Sequence, residues 1–426
     1  MKKVITYVLM LCCSIATCMA EFSIDGISYS SNGTESNEVT ITSFTDEIPQ
    51  NVNLPEEVNN EGITYTVTQI GKGAFNKCSK ITSLTLSNTI KSIGDEAFSY
   101  CENLESLTIS KSVEAIGIDL FLNSSQLKEL IVSEENEFYQ AQGGILYSKD
   151  GKELISCING VDNVSILESV ENIYESAFEK CIRLTSIKIP NSVKKLNRYT
   201  FSYCVSLQKV ELPESLKKIS DSEFNNCISL KEIILPDSLE EIGYSAFNKC
   251  QSLISITIPS STKSIGMEAF KNCSSLKKVE FLGCPDLSAT SIFSSCDNLE
   301  EIICRSTTPP NCNTYIFENY SIPLYVPKGS LELYKEATGW KNFTSILPLE
   351  DVTKDNLYEN NIKFHIYTTA QMLHITTSQN TTLEIYRANG TRVDSVTIPA
   401  GETKIKLDSG LYIIKIDNQT QKVLLL

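Results

Sequence analysis

The chain has 426 residues and an apolar content of 41 %, enough to bury a sizeable core and too much for a disordered tail. Lys and Arg number 37 against 52 Asp and Glu, for a formal charge of -15. Binding to nucleic acid and to anionic lipid both draw on basic surface, so this balance argues against either partner.

Residues 1–20 read as a signal peptide. Lys2 and Lys3 give a positive start, Val4 to Cys13 form an apolar run, and Ala16 to Ala20 supply small residues before Glu21. The run is shorter than the ~20 residues that cross a bilayer, and no other stretch has the length and apolarity of a transmembrane helix. A lipoprotein cleavage box is the rival reading of Ile15-Ala16-Thr17-Cys18, with a lipid on Cys18 and Thr17 departing from the pattern. Either way the chain is expected to be exported, to the cell surface or beyond. Residues 21–70, alternating and rich in Asn and Gly, read as an N-terminal β cap.

From residue 71 one pattern repeats. Phe75, Phe98 and Phe121 lie 23 residues apart, and so do Phe178, Phe201, Phe224, Phe247, Phe270 and Phe293. Three residues after each Phe stands a Cys, with Ser124 the exception; three further on stands Ile81 or a Leu such as Leu104 or Leu253. An apolar pair two residues apart follows, as in Leu84/Leu86, Ile187/Ile189 and Ile256/Ile258. Residues two apart share one face of a strand, and a fixed period of this size marks stacked coils that cannot bury their apolar sides singly. The expected fold is a repeat solenoid over 71–347 with a parallel β-sheet on one face, each coil advancing roughly 4.8 Å. Ala74, Ala97, Ala177, Ala246 and Ala269 precede their Phe and leave room for a stacked aromatic row.

The run Ala246-Phe247-Asn248-Lys249-Cys250-Gln251-Ser252-Leu253, with Ile256-Thr257-Ile258-Pro259 and Ile265-Gly266, resembles the repeat of BspA-like leucine-rich-repeat surface proteins. Gly143 to Lys152 resembles a hairpin insertion found in such arrays, here spanning about 133–172. Thr308-Pro309-Pro310, Leu324 to Pro327 and Tyr334 to Trp340 resemble the closing unit. The resemblance implies a surface protein that binds host proteins, other cells or matrix, with no catalytic site shared by the repeats.

Residues 348–360 read as a linker and 361–426 as a small β-sandwich of about seven strands, with a turn at Ala388-Asn389-Gly390. Ile385 to Gly390 and Leu407 to Ile413 resemble the C-terminal sorting domain of type IX secretion in the Bacteroidetes. A plain capping sandwich is the alternative.

Little in the sequence points to chemistry. The two histidines, His365 and His374, both fall in the C-terminal module, so the repeats lack an imidazole base, and the pair reads as surface residues rather than metal ligands. There is no phosphate-cradling loop, and no cofactor or metal is implied. Of 15 cysteines, three lie in the leader. Eight of the rest share one repeat position, where parallel Cβ vectors suit packing better than bridging. Cys284, Cys304 and Cys312 break that pattern and are the better candidates for a disulfide.

The candidate interaction face is the outward side of the sheet: Ser83/Thr85, Ser106/Thr108, Glu129/Ile131, Ser186/Lys188, Lys209/Glu211, Glu232/Ile234, Ser255/Thr257, Lys278/Glu280 and Glu301/Ile303. Its residues of interest are Lys188, Lys209, Glu211, Glu232, Ile234, Lys278 and Glu280, polar and mixed in sign with isolated outward Ile. With no aromatic row for sugar stacking, a protein partner fits it best. Three readings stay open: a non-enzymatic adhesin or ligand-binding surface protein, a structural envelope component, and a two-carboxylate glycosidase.

Overall fold

The computed structural model describes residues 21–33, 36–349, 364–369, 372–377, 380–387, 391–408, 410–416 and 419–425. The leader with Cys18, residues 350–363 and the Ala388-Asn389-Gly390 turn lie outside them. The backbone divides into two units that meet between Gln140 and Ala141.

In the first unit an antiparallel meander, Glu21–Ile24, Ile27–Ser31 and Glu38–Phe44, passes its last strand to Ile63–Ile70 in parallel. The end of that strand starts a narrow ladder, Ile70↔Ile93↔Ile116. A wider parallel ladder runs Val52↔Leu84↔Leu107↔Leu130. Each coil therefore has two strands on different sides, where the sequence pattern led us to expect one sheet and a plain return segment.

The second unit repeats this plan. Its main ladder pairs Ser186–Lys188 with Lys209–Glu211, then resumes as Ser255–Ile258, Lys278–Phe281, Glu301–Cys304, Leu324–Pro327 and Ile346–Leu349. The last strand thus takes in Pro348 and Leu349, the start of the expected linker. The inserted hairpin, Ile145–Ser148 against Glu153–Cys157, does not stand apart: Leu154 enters the narrow ladder opposite Ile173, which pairs with Leu196. Among the described residues after 363, seven strands form sheets of three and four, closed over a shared core that includes Leu373, Ile375, Leu383, Ile385, Tyr412 and Ile414.

Inside the coils the phenylalanines stack. In the second unit Phe178, Phe201, Phe224, Phe247, Phe270 and Phe293 follow one another with centroids 5.1–5.5 Å apart. Phe317 extends the row at 5.3 Å and is covered by Trp340, Tyr320 and Phe343. Phe75, Phe98 and Phe121 stack likewise in the first unit, at 5.9 and 6.4 Å. The cysteine row does more than fill space. The thiols of Cys101, Cys204, Cys227, Cys250, Cys273 and Cys296 each donate to the Phe carbonyl of the preceding coil, as Cys101 to Phe75 at 3.1 Å and Cys204 to Phe178 at 3.0 Å. Ser124 does the same toward Phe98 at 2.6 Å, which explains why a hydroxyl is accepted in that row.

Two residues in most coils, two before and two after the Phe, adopt positive φ although few are Gly or Asn: Tyr199 and Tyr203, Ser245 and Lys249, Glu268 and Asn272. The left-handed region costs a side-chain-bearing residue roughly 1–2 kcal/mol. Neighbouring coils offset that cost, because the amide of the second residue donates across, Tyr203 to Asn225 and Lys249 to Lys271, both at 2.8 Å.

The position four residues before the Phe is glycine in some coils and not in others. Gly243 and Gly266 bring successive backbones so close that a Cβ would sit 2.7 Å from the neighbouring chain, and their amides donate to Ile219 and Ile242. At the matching position of the Phe224 coil stands Ser220, whose Oγ rather than amide reaches Leu196 O at 2.7 Å. The freed amide donates to Glu223 Oε2 at 2.6 Å. The narrow ladder breaks there, between Leu196 and Ile219, and the main ladder has no strand at 232–234. Glu223 is fully buried in the alanine row with Oε1 unpartnered, and burial holds its carboxyl well above the usual carboxylate range despite the Ser220 hydrogen bond.

Phe247→Ala is expected to destabilise the second unit by about 3–5 kcal/mol in denaturant unfolding; a change near zero contradicts the stacked register. Glu223 has a raised folded-state pKa, so its stabilising share is full below the unfolded value of about 4.3 and is lost as pH climbs through the folded value. Glu223→Gln is therefore expected to match the wild-type melting temperature near pH 4 and to exceed it increasingly toward pH 8. A difference that does not vary with pH contradicts the assignment.

Candidate interaction surface

Lys188, Lys209, Glu211, Lys278 and Glu280 lie on the outward side of the second unit's main ladder, where strand alternation puts Ile187, Val210, Val279 and Ile302 inside, and Glu232 lies in the coil that has no strand there. Lys188 and Glu232 are exposed, while Lys209, Glu211, Ile234, Lys278 and Glu280 are half-buried. Most of the charge is already paired. Lys209 meets Glu211 at 2.8 Å, Lys278 lies 3.6 Å from both Glu280 and Glu301, and Arg305 holds Glu280 at 2.5 Å. Among the described residues neither Lys188 nor Glu232 has an ion-pair partner. Exposed ion pairs contribute little to stability, so these groups remain available for exchange with a partner.

The expectation of outward isoleucines needs correction. Ile303 is buried at 7 % exposure, Ile234 is half-buried, and of the three expected outward isoleucines Ile131 alone stands well exposed. The exposed aliphatic surface lies instead in the turn before the strand. Ile182, Val205 and Ile228 occupy one position in three successive coils, and Ile254 stands exposed just before its strand in the next. Ile182, Ile228 and Ile254 keep 40 %, 37 % and 51 % of their surface in water. The sequence carried this signal four residues after each Phe, but the variable Gln, Ser and Asp of other coils hid it.

The reactive groups of the interior are closed off. All twelve described cysteines are free, Cys284, Cys304 and Cys312 included, and all but Cys284 are buried. Burial pushes the Cys101, Cys296 and Cys304 thiols up to about 12, so they stay protonated rather than serve as nucleophiles or metal ligands, and Cys101 and Cys296 act as hydrogen-bond donors. Glu223 is as enclosed, beyond the reach of any substrate, which removes it as half of a two-acid site. Of the histidines, His374 is not a surface residue: it is 7 % exposed, with Nδ1 3.1 Å from Glu402 Oε1 in the C-terminal module. No group of three or more His, Cys, Asp or Glu converges among the described residues, and none of their helices is long and apolar enough to cross a membrane.

Residues 46–142, 155–277 and 217–337 match the family described as BspA type leucine rich repeat region, in six copies. Residues 369–424 match the secretion system C-terminal sorting domain. No curated protein matches the chain. Among solved structures, the pneumococcal vaccine antigen PcpA is 19 % identical, with a TM-score of 0.49 over 78 % of this chain and 99 % of that one. A leucine-rich repeat protein from Bacteroides ovatus is 25 % identical, with a TM-score of 0.41 over 77 % of this chain and 100 % of the other. A leucine rich cell surface protein from Faecalibacterium prausnitzii is 22 % identical, with a TM-score of 0.38 over 62 % and 95 %.

Proposed function

The chain belongs to the BspA-type leucine-rich-repeat family, and from that premise we propose that it is an exported protein whose second unit binds a protein partner outside the cell. The family is one of repeat proteins rather than enzymes, and the sorting domain at the C-terminus suggests export and surface association. The observation that carries the binding reading is the aliphatic row Ile182, Val205 and Ile228, with exposed Ile254 at a different position of the next coil, near the outward charges Lys188 and Glu232. Apolar side chains left partly or largely in water on neighbouring coils, rimmed by charge, are what a protein interface buries at its centre and edge. Lys209, Glu211, Ile234, Lys278 and Glu280 extend the rim. The partner in this reading is a host, cell-surface or matrix protein.

Cross-linking on intact cells, followed by affinity capture of the full chain, is expected to recover a protein partner. The double change Ile228→Asp with Lys188→Glu is expected to weaken its affinity at least about tenfold, or 1.4 kcal/mol, without moving the melting temperature. Lys217→Glu, on the narrow ladder, is expected to leave it intact. Equal loss in both variants, or no loss in either, argues against this surface.

A further inference from the structure

We propose that a notch beside the last phenylalanine pair binds the ammonium-tipped side chain of a lysine presented by a protein partner. This rests on the protein-binding reading above and names an anchor for it. In earlier coils the Cys and Leu rows are closed by the next coil's Cys and Leu, and Cys273 and Leu276 are 0 % exposed. The Phe317 coil carries Tyr320 and Pro323 at those positions. Tyr320 makes T-shaped contacts with Phe317 and Phe343, with centroids 6.0 and 4.9 Å away, and Cys296 and Leu299 each keep 8 % of their surface exposed.

The result is an open space of about 150 Å³ with Phe293, Cys296, Leu299 and Phe317 as its floor and Asp297, Glu318 and Asn319 at its rim. A space of that size takes one small apolar group. Glu318 is fixed at the rim, its Oε1 accepting the Ser295 amide at 3.0 Å, and Asp297 stands exposed on the preceding coil. Both carboxylates are near enough to the Cys296 thiol to push its pKa further up after burial itself. Lys271, already paired with Glu268 at 2.7 Å, is the cation that feels Glu318.

An apolar floor and two separated carboxylates at the mouth match a side chain with an aliphatic stem and a cationic tip. A lysine fits better than an arginine, because a compact ammonium with three rotatable donors can bridge two carboxylates on different coils, whereas the planar fork of a guanidinium is suited to one.

The test is calorimetric titration of the full chain with Nα-acetyl-lysine methylamide, and with the norleucine analogue that keeps the stem and lacks the charge. The lysine probe is expected to bind saturably with a millimolar Kd, and the norleucine probe roughly tenfold more weakly. Asp297→Asn with Glu318→Gln, which keeps an acceptor for the Ser295 amide, is expected to reduce lysine binding about tenfold with an unchanged melting temperature. Equal binding of the two probes, no effect of the double variant, or no saturation up to about 50 mM overturns the proposal. The two readings fail separately. A notch that takes the lysine probe in a chain that captures no partner leaves the notch and removes the partner; capture that survives the double variant while the probe does not bind does the reverse.

Discussion

Each phenylalanine ring lies face to face with the ring of the next coil, and that contact sets the terms for the rest of the chain. Centroids 5.1–5.5 Å apart in the second unit match the advance of one coil per strand spacing, so the rings, the two ladders and the thiol row all keep one step. Residues in the same row meet only their counterparts one coil away. A hydrogen-bond donor follows the ring three residues later, and in most coils the turns on either side enter the left-handed region as the coil closes in 23 residues.

Where a coil breaks one of these terms, the consequences are local. Ser220 has a side chain where Gly243 and Gly266 have none, its Oγ takes the carbonyl that a backbone amide takes in those coils, and the narrow ladder opens between Leu196 and Ile219. Glu223 receives the amide that this releases. At the far end, Tyr320 and Pro323 fail to continue the Cys and Leu rows, and Cys296 and Leu299 keep 8 % of their surface exposed where Cys273 and Leu276 keep none. Irregular coils in a repeat array are where its surface becomes distinctive, since regular ones present the same groups at every step.

The core was legible in the sequence because it repeats: Phe, Cys, Leu and the paired strand residues recur at a fixed interval, and each is buried as its row requires. The second ladder was harder to read, because its strands are two residues long, Ser92–Ile93 or Lys218–Ile219, too short for alternation to register. The left-handed turns carried no signal, since Lys, Tyr, Asn and Ser all serve there and the conformation is imposed by bonds to the next coil. The outward face was only half legible. Alternation points Lys188 outward, and it is exposed, but alternation could not foresee that the coil of Glu232 would lack a strand, that Lys278 and Arg305 would occupy Glu280, or that Ile303 would be buried. The aliphatic row escaped notice for the opposite reason, lying in a turn where no strand pattern directs attention.

Amide hydrogen exchange, resolved by residue, tests the stacked-coil arrangement most directly. Tyr203, Asn226, Lys249 and Asn272 lie in turns at the surface of the second unit, yet their amides donate to the next coil at 2.8 Å. Stacking in this register predicts slow exchange at these positions, recurring every 23 residues and matching the core strands. Fast exchange there, at the rate of ordinary exposed turns, would contradict it.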